Sequence, residues 1–445
     1  MVLALIVLAL ILVLIYKGFS DPFLAVLAFV VAYELQPGEL FPALGVLHLE
    51  RVLILYVFAV FAMKRVKLRF PPITQKFLWF FGVMLLSSFF AFWRSNSFAF
   101  DLKFFEIVIY HVLLVAVLTS EERVRKYILL YTGLVAWIGI TSLYNYHHGV
   151  RIYTMHIERA EGLTSAGGDP DTMAQTMVLA MPLAFLLLGK GMSKWLKIYA
   201  AVIFAIYLTT VIDTGSRTAI VAFLLFVMLV LFHKRQNLKY LPLILVALPL
   251  LWLAIPQQYK ARYETIKTRD QDDSYTNRLL SWQGGVKMFL HNPLTGIGPD
   301  DYTAANGMKY WPGKPRHWLN AHSLYFKLLG ETGALGVLTF FVFMISVMRM
   351  NWQLAKRYRK KVMDPIVQRF PAACNQCIWL LLLSGYAAHN TYRSNWYTLA
   401  ALTASLGMMQ LREQMPASSQ EPLKRQPAWL PAAKRPELEP AEMAK

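Results

Sequence analysis

The sequence predicts an all-α polytopic membrane protein, with about 12–13 transmembrane helices and one long extracytoplasmic loop containing short helices. Three observations lead there. Hydrophobic residues make up 56% of the chain and aromatic residues 14%, whereas a soluble domain is roughly 45–50% apolar. The excess is gathered into blocks long enough to cross hydrocarbon. The positive charge, a net +19, falls on alternate connections between those blocks, the arrangement that marks cytoplasmic loops. A nucleic-acid partner is excluded by that same placement, since the basic residues are strung along one side of a series of apolar helices.

The apolar blocks run near 2–16, 22–36, 49–63, 75–93, 104–118, 124–146, 172–189, 194–212, 217–233, 238–255, 322–349, 376–392 and 396–411. The first lacks the basic start and small-residue cleavage site of a secretory signal, so it reads as a helix. The basic connections are 64–76, 121–126, 189–197, 233–239 and 355–369, whereas 35–50 and 389–396 carry far less positive charge. This puts 147–171, 213–216 and 256–321 on the extracytoplasmic side. Counting every block as a span puts the N-terminus outside; a total of twelve would require one of the first two short blocks not to span. Four regions result: N-terminal transmembrane helices (1–255), the long loop (256–321), C-terminal transmembrane helices (322–411) and a Pro-, Ala- and Glu-rich cytoplasmic tail (412–445) expected to be disordered.

The polar chemistry concentrates on the extracytoplasmic side. A loop as long as 256–321 is usually functional or folded in itself. Within it, Leu279, Leu280, Trp282, Val286, Met288, Phe289 and Leu290 recur at roughly helical spacing, and "HNPLTGIG" closes the helix in a turn. That predicts an amphipathic helix on or near the membrane surface. Arg278 sits in its first turn, where a cation opposes the helix dipole unless an anion lies close by. Arg217 opens another span after Gly215 and Ser216. Either arginine has a plainer alternative, as a headgroup contact or a snorkelling side chain at a span end. Their coincidence with a histidine on one side favours an anion. Guanidinium groups stay charged and bind phosphate through a fork, so a diphosphate suits the set better than a neutral solute.

That histidine begins "NAHSLYFKLLGETGALG" (320–336). His322 stands where a polar loop enters an apolar helix, and it can exchange a proton near neutral pH or simply cap the helix. Gly333 lies eleven residues on, which on a continuous helix places it on the same face, about 16 Å away. With Gly330 and Gly336 it predicts a groove where other helices approach closely.

His322-Ser323, nine residues, then Gly333-x-x-Gly336 resembles the His-(Asn/Ser/Gln)-x9-Gly-x-x-(Gly/Thr/Tyr) pattern of bacterial O-antigen ligases. "GSRTA" (215–219), "NRLLSWQGGVKMFLHNPLTGIG" (277–298) and "RAEGLTSAGGDPDTMAQTMVLAMPL" (159–183) follow the family order, so the resemblance to the O-antigen ligase/polymerase family covers roughly residues 20–410. The spacing of the first blocks is also similar to the exosortase-associated O-glycosylation ligase branch. Pro170-Asp171 departs from the Pro-Asn of many relatives. The resemblance implies a metal-independent glycosyltransferase of the GT-C type, without cofactor, in the bacterial inner membrane. Its donor would be a glycan on undecaprenyl diphosphate and its acceptor a hydroxyl, of lipid A-core oligosaccharide in the leading reading, met at the periplasmic face. By carry-over Arg217 and Arg278 would hold the diphosphate, His322 would act as base or acid, and Arg159 would contact phosphate or glycan.

The same machinery would equally polymerise repeat units or glycosylate a protein hydroxyl. A transporter or flippase is a further class, but it would place polar groups near the midplane, often in repeated halves, and no internal repeat is visible. Cys374 and Cys377 form a CxxC at the cytoplasmic entrance of an apolar span, with no second pair to suggest zinc. "DPD" (169–171) and "DQDD" (270–273) read as turn and loop chemistry rather than metal sites.

Overall fold

The computed structural model describes residues 2–40, 45, 48–154, 157–162, 168–233, 235–264, 273–313, 315–388 and 390–414. Nearly all of the expected tail, and all of "DQDD" but Asp273, lie outside these residues. Every expected apolar block overlaps a helix: α1 (Val2–Gly18), α2 (Pro22–Leu35), α3 (Leu49–Lys64), α4 (Pro72–Phe89), α5 (Arg94–Val117), α6 (Glu121–His147), α7 (Pro170–Leu186), α8 (Lys194–Asp213), α9 (Arg217–His233), α10 (Leu241–Ala254), α13 (Leu324–Tyr358), α14 (Pro365–Ser384) and α15 (Ser394–Gln414). The block expected at 376–392 is helical only to Ser384, and its helix starts at Pro365, inside the expected basic connection. Between α10 and α13 the long loop carries α11 (Gln257–Glu264) and α12 (Asp273–His291). The chain is an all-α polytopic membrane protein. Among the described residues α6, α8, α13 and α14 are long and apolar enough to cross a bilayer, and 5–18, 22–35 and 217–232 are shorter apolar helices. The short α2 sits deep in the bundle, where protein surrounds it: Phe23 and the run Ala25–Ala32 are buried.

Local chemistry starts these helices where the sequence changes. Asp21, Asp169 and Asp364 each precede a proline at the first helical position and accept hydrogen bonds from the first-turn amides of α2, α7 and α14. Ser120 and Ser193 do the same for α6 and α8. An N-cap oxygen satisfies donors that the helix leaves unpaired, and proline has no amide to lose there.

The connections sort into two ends by their contacts. At the basic end Arg123 pairs with Asp21 (2.8 Å) and Arg125 with Asp364 (3.5 Å), while Glu121 accepts from the Asp364 amide (2.9 Å). At the other end Phe92 N donates to Ile297 O (2.6 Å), Ala160 N to Asp213 O (2.9 Å) and Arg278 Nη1 to Ala387 O (3.5 Å). The basic connections 121–126 and 355–369 thus meet at one end, and 147–171, 213–216 and 256–321 lie at the other. Between them an aromatic core joins α4, α5, α13 and α15, with Phe77 stacked on Tyr397 (4.5 Å) and on Phe343 (5.4 Å). His111 is buried in it, satisfied by Thr74 Oγ1 (2.9 Å) and Tyr397 O (2.8 Å), as a polar group in hydrocarbon must be.

Three features depart from the sequence reading. Residues 152–154 and 157–159 pair as an antiparallel hairpin, β1 (Ile152–Thr154) and β2 (Ile157–Arg159), in a chain otherwise read as helical. The amphipathic α12 is docked on protein: Trp282 Nε1 donates to Ala321 O (2.8 Å) and its ring stacks on Phe326 (5.0 Å). Met288 is buried with it, whereas Leu279, Val286 and Leu290 remain exposed. Finally α13 is broken at Gly333 (φ 62°, ψ −162°), so the continuous face expected from His322 to Gly333 does not exist. The turn "PLTGIG" (293–298) fills the break: Ala334 N donates to Pro293 O (2.8 Å), and Ile297 N to Gly330 O (3.0 Å). Gly333 therefore admits a backbone loop, where helix-on-helix packing was expected, whereas Gly330 lies against Met288 of α12 and Tyr302.

Candidate active site

The helices α7, α9, α13 and α15 all start at the end away from the basic loops. Their N-terminal dipoles and unpaired amides make that end favourable for an anion. The arginines and the histidine singled out in the sequence lie there, on segments that the structure ties together.

His322 is the residue just before the N-cap of α13. Its backbone is left-handed (φ 45°), a conformation uncommon for a non-glycine residue and found often at functional sites. The next turn is clamped: Leu324 N donates to Gly385 O (2.6 Å), and a Cβ on Gly385 would stand 2.9 Å from Leu324 Cβ. A larger residue at 385 would push the end of α14 away and release the histidine's support. Burial holds the His322 imidazole below its usual value, and Arg278 and Lys327 act in the same direction; Asp171 and Asp169 oppose them. The neutral ring, able to accept a proton, is thus favoured near pH 7.

The helix α12 begins at Asp273, earlier than expected, so Arg278 lies in its second turn and not its first; it reaches across to the α14–α15 connection at Ala387. Arg217 begins α9, directly after Ser216, whose hydroxyl donates to Asp171 Oδ1 (2.6 Å). Arg159, at the end of β2, is only 3% exposed. Its guanidinium donates to Thr214 O (2.6 Å) and Asp171 Oδ1 (3.1 Å), so it braces the α8–α9 turn against the start of α7. Contact with a substrate through this side chain would require those bonds to part. The departure at 171 has a physical use here: a carboxylate, unlike an amide, pairs ionically with Arg159 while accepting from Ser216. Asp169 is spent on the α7 cap, accepting from Asp171 N (3.0 Å) and Thr172 Oγ1 (2.7 Å).

Three more charged residues belong to this constellation and were not singled out in the sequence. Arg393, just before α15, donates to Thr172 O (3.3 Å) and to the Thr172 hydroxyl, holding the same loop as Arg159 from the other side. Lys327 and Glu331 pair at 3.5 Å one turn apart on the first half of α13, exposed by 5% and 0%. Glu331 also accepts from Tyr392 Oη (2.7 Å) and Tyr302 N (3.3 Å), and Lys327 meets Asp300 at 3.5 Å. A Lys and a Glu four apart inside an apolar block were a readable signal, since buried charge in a span is paired and functional by default. Arg393 gave none, lying in a loop notable only for its lack of charge.

This arrangement has chemical consequences. A proton acceptor stands beside a cation, in a polar end where several helix N-termini and anchored arginines favour negative charge. It can bind an anionic leaving group and deprotonate a neighbouring hydroxyl. A search of curated proteins finds no match. The sequence model of the O-antigen ligase family matches residues 200–341, from within α8 through α9, α12 and His322 to just beyond the break in α13. Across that segment, which carries Arg217, Arg278 and His322, the chain is similar to the O-antigen ligase family.

Proposed function

We propose that the protein transfers a glycan from undecaprenyl diphosphate to an acceptor hydroxyl at the periplasmic face of the inner membrane, lipid A-core oligosaccharide being the preferred acceptor. The family implies a glycosyltransferase-like enzyme with lipid-linked glycan and acceptor as partners. The observation that carries the finer reading is that the charge of Arg278 acts on His322, at the end of the bundle where Arg217 and several helix N-termini also lie. His322 takes the proton of the acceptor hydroxyl as its oxygen bonds to the anomeric carbon. The bond from that carbon to the diphosphate oxygen breaks, and undecaprenyl diphosphate leaves. Arg217 and Arg278 stabilise the charge that gathers on the departing oxygens, a task that needs fixed cations and no metal. Arg159 and Arg393 act at one remove, holding the Asp169–Thr172 loop. The positive-inside rule supports the orientation.

His322→Ala tests it with purified protein, lipid-linked donor, a panel of acceptors and added chelator. General acid–base groups contribute about 10²–10⁴-fold, so transfer should be barely detectable while donor binding survives. Wild-type transfer by the variant would make His322 structural. Arrest of the wild type by chelator would return attention to the acidic residues.

A further inference from the structure

At the opposite, basic half of the bundle a cleft of about 340 Å³ opens between α9, α13 and α14. Phe232, Trp352 and Trp379 frame it, exposed by 70%, 59% and 40%. An apolar, aromatic groove facing the hydrocarbon suits a chain of methylenes. Two further observations narrow the occupant.

The first is Gln376, which lines the cleft. Its neighbour Asn375 is satisfied, accepting from Asn351 (3.1 Å) and donating to Met348 O (3.3 Å). Gln376 has no hydrogen-bond partner among the described residues. An amide at membrane depth must find an acceptor, and here it faces the groove. The second is charge. The Asn351–Asn375 bond sets α14 against antiparallel α13 so that Gln376 lies level with Met350. Lys356 is then about 9 Å nearer the basic surface, and Arg359 a turn beyond, in line with Trp352 and Ala355. Both cations are exposed.

Reading outward, the cleft offers hydrocarbon, then an amide donor, then cations. A glycerophospholipid presents an acyl chain, an ester carbonyl and a phosphate in that order. We propose that this cleft binds one anionic glycerophospholipid from the leaflet facing the basic loops, with an acyl chain between Trp352 and Trp379, an ester carbonyl on Gln376 and the phosphate on Lys356 and Arg359. The isoprenoid tail of a lipid-linked donor fits less well: it has no acceptor for Gln376, and its phosphates belong at the other end of these helices.

Native mass spectrometry of the full chain in detergent, titrated with phosphatidylglycerol or phosphatidylcholine, tests this without any activity measurement. One phosphatidylglycerol should be retained in preference to phosphatidylcholine. Gln376→Leu should weaken retention about fivefold, the value of one hydrogen bond. Lys356→Ala with Arg359→Ala should abolish the preference between the two headgroups, and Ala372→Phe should fill the groove and exclude both. Equal retention of the two lipids by the wild type, or unchanged retention in Gln376→Leu, overturns the assignment. So does displacement of bound phosphatidylglycerol by a polyprenyl phosphate at equal concentration. The donor reading is tested separately, because these outcomes do not depend on transfer.

Discussion

Gly333→Ala should separate the two halves of α13 from the loop that fills its break. At φ 62° and ψ −162° a side chain is strained wherever it points, which costs about 1–3 kcal/mol. The new Cβ would also lie 2.5 Å from the carbonyl carbon and oxygen of Leu294 and 2.7 Å from Gly296 N. The loop must retreat, which threatens the Ala334–Pro293 and Leu335–Leu294 backbone bonds (2.8 and 3.2 Å), each worth about 1 kcal/mol net. Together the loss is roughly 3–5 kcal/mol, a large share of a typical stability of about 5–15 kcal/mol. Thermal unfolding in detergent, followed by circular dichroism, should show the midpoint lowered by roughly 3–5 °C. Gly82→Ala is the control: its added Cβ meets nothing within 4 Å on α4, so it should be neutral or slightly stabilising. If Gly333→Ala melts with the wild type, the break does not need glycine and the docked loop is not what it holds.

Arg217→Lys and Arg278→Lys should each lose most transfer in the reconstituted assay while inserting and folding, because lysine keeps the charge and loses the fork; near-normal rates in both would reduce them to interfacial side chains. The transfer rate of the wild type should fall only as pH drops below about 6.5, the ordinary histidine value, because burial and Arg278 lower the pKa of His322 and keep it neutral. In Arg278→Gln one of the cations facing the ring is gone, so the acid limb of the residual activity should move to higher pH; an unmoved limb would assign it to another group. Cysteine-accessibility labelling of intact cells should reach position 300 from outside and not position 360, and the reverse would invert the orientation and the mechanism with it.

The helices were legible because hydrocarbon demands long apolar blocks and because caps such as Asp169-Pro170 announce their starts. Much of the grouping of the loops into two ends was legible because basic residues gather at one of them. What the sequence hid was backbone work. Residues 293–298 read as a turn that ends a helix, and nothing in their side chains says that their amides complete a different helix. The hairpin at 152–159 is too short for a period to show. At the candidate site, Arg217, Arg278 and His322 were singled out by type, position and family resemblance, and Arg159 by resemblance alone, but what Arg393 and Arg159 hold, Thr172 and Thr214, only the fold brings near.

The docking of 293–298 into α13 also bears on how such a protein can be recombined. Ser87 on α4 donates to Thr295 O (2.6 Å) and Glu331 O (2.8 Å), and Asp301 accepts from the Trp93 amide (2.5 Å). The joint is therefore built from both halves of the chain, and the stretch that matches the family, 200–341, omits one of them. A chimera that exchanged that stretch alone, in order to transplant an acceptor preference, would break these bonds at the seam. Crossovers that carry residues 84–101 along with the donor's loop would keep the joint's own partners together.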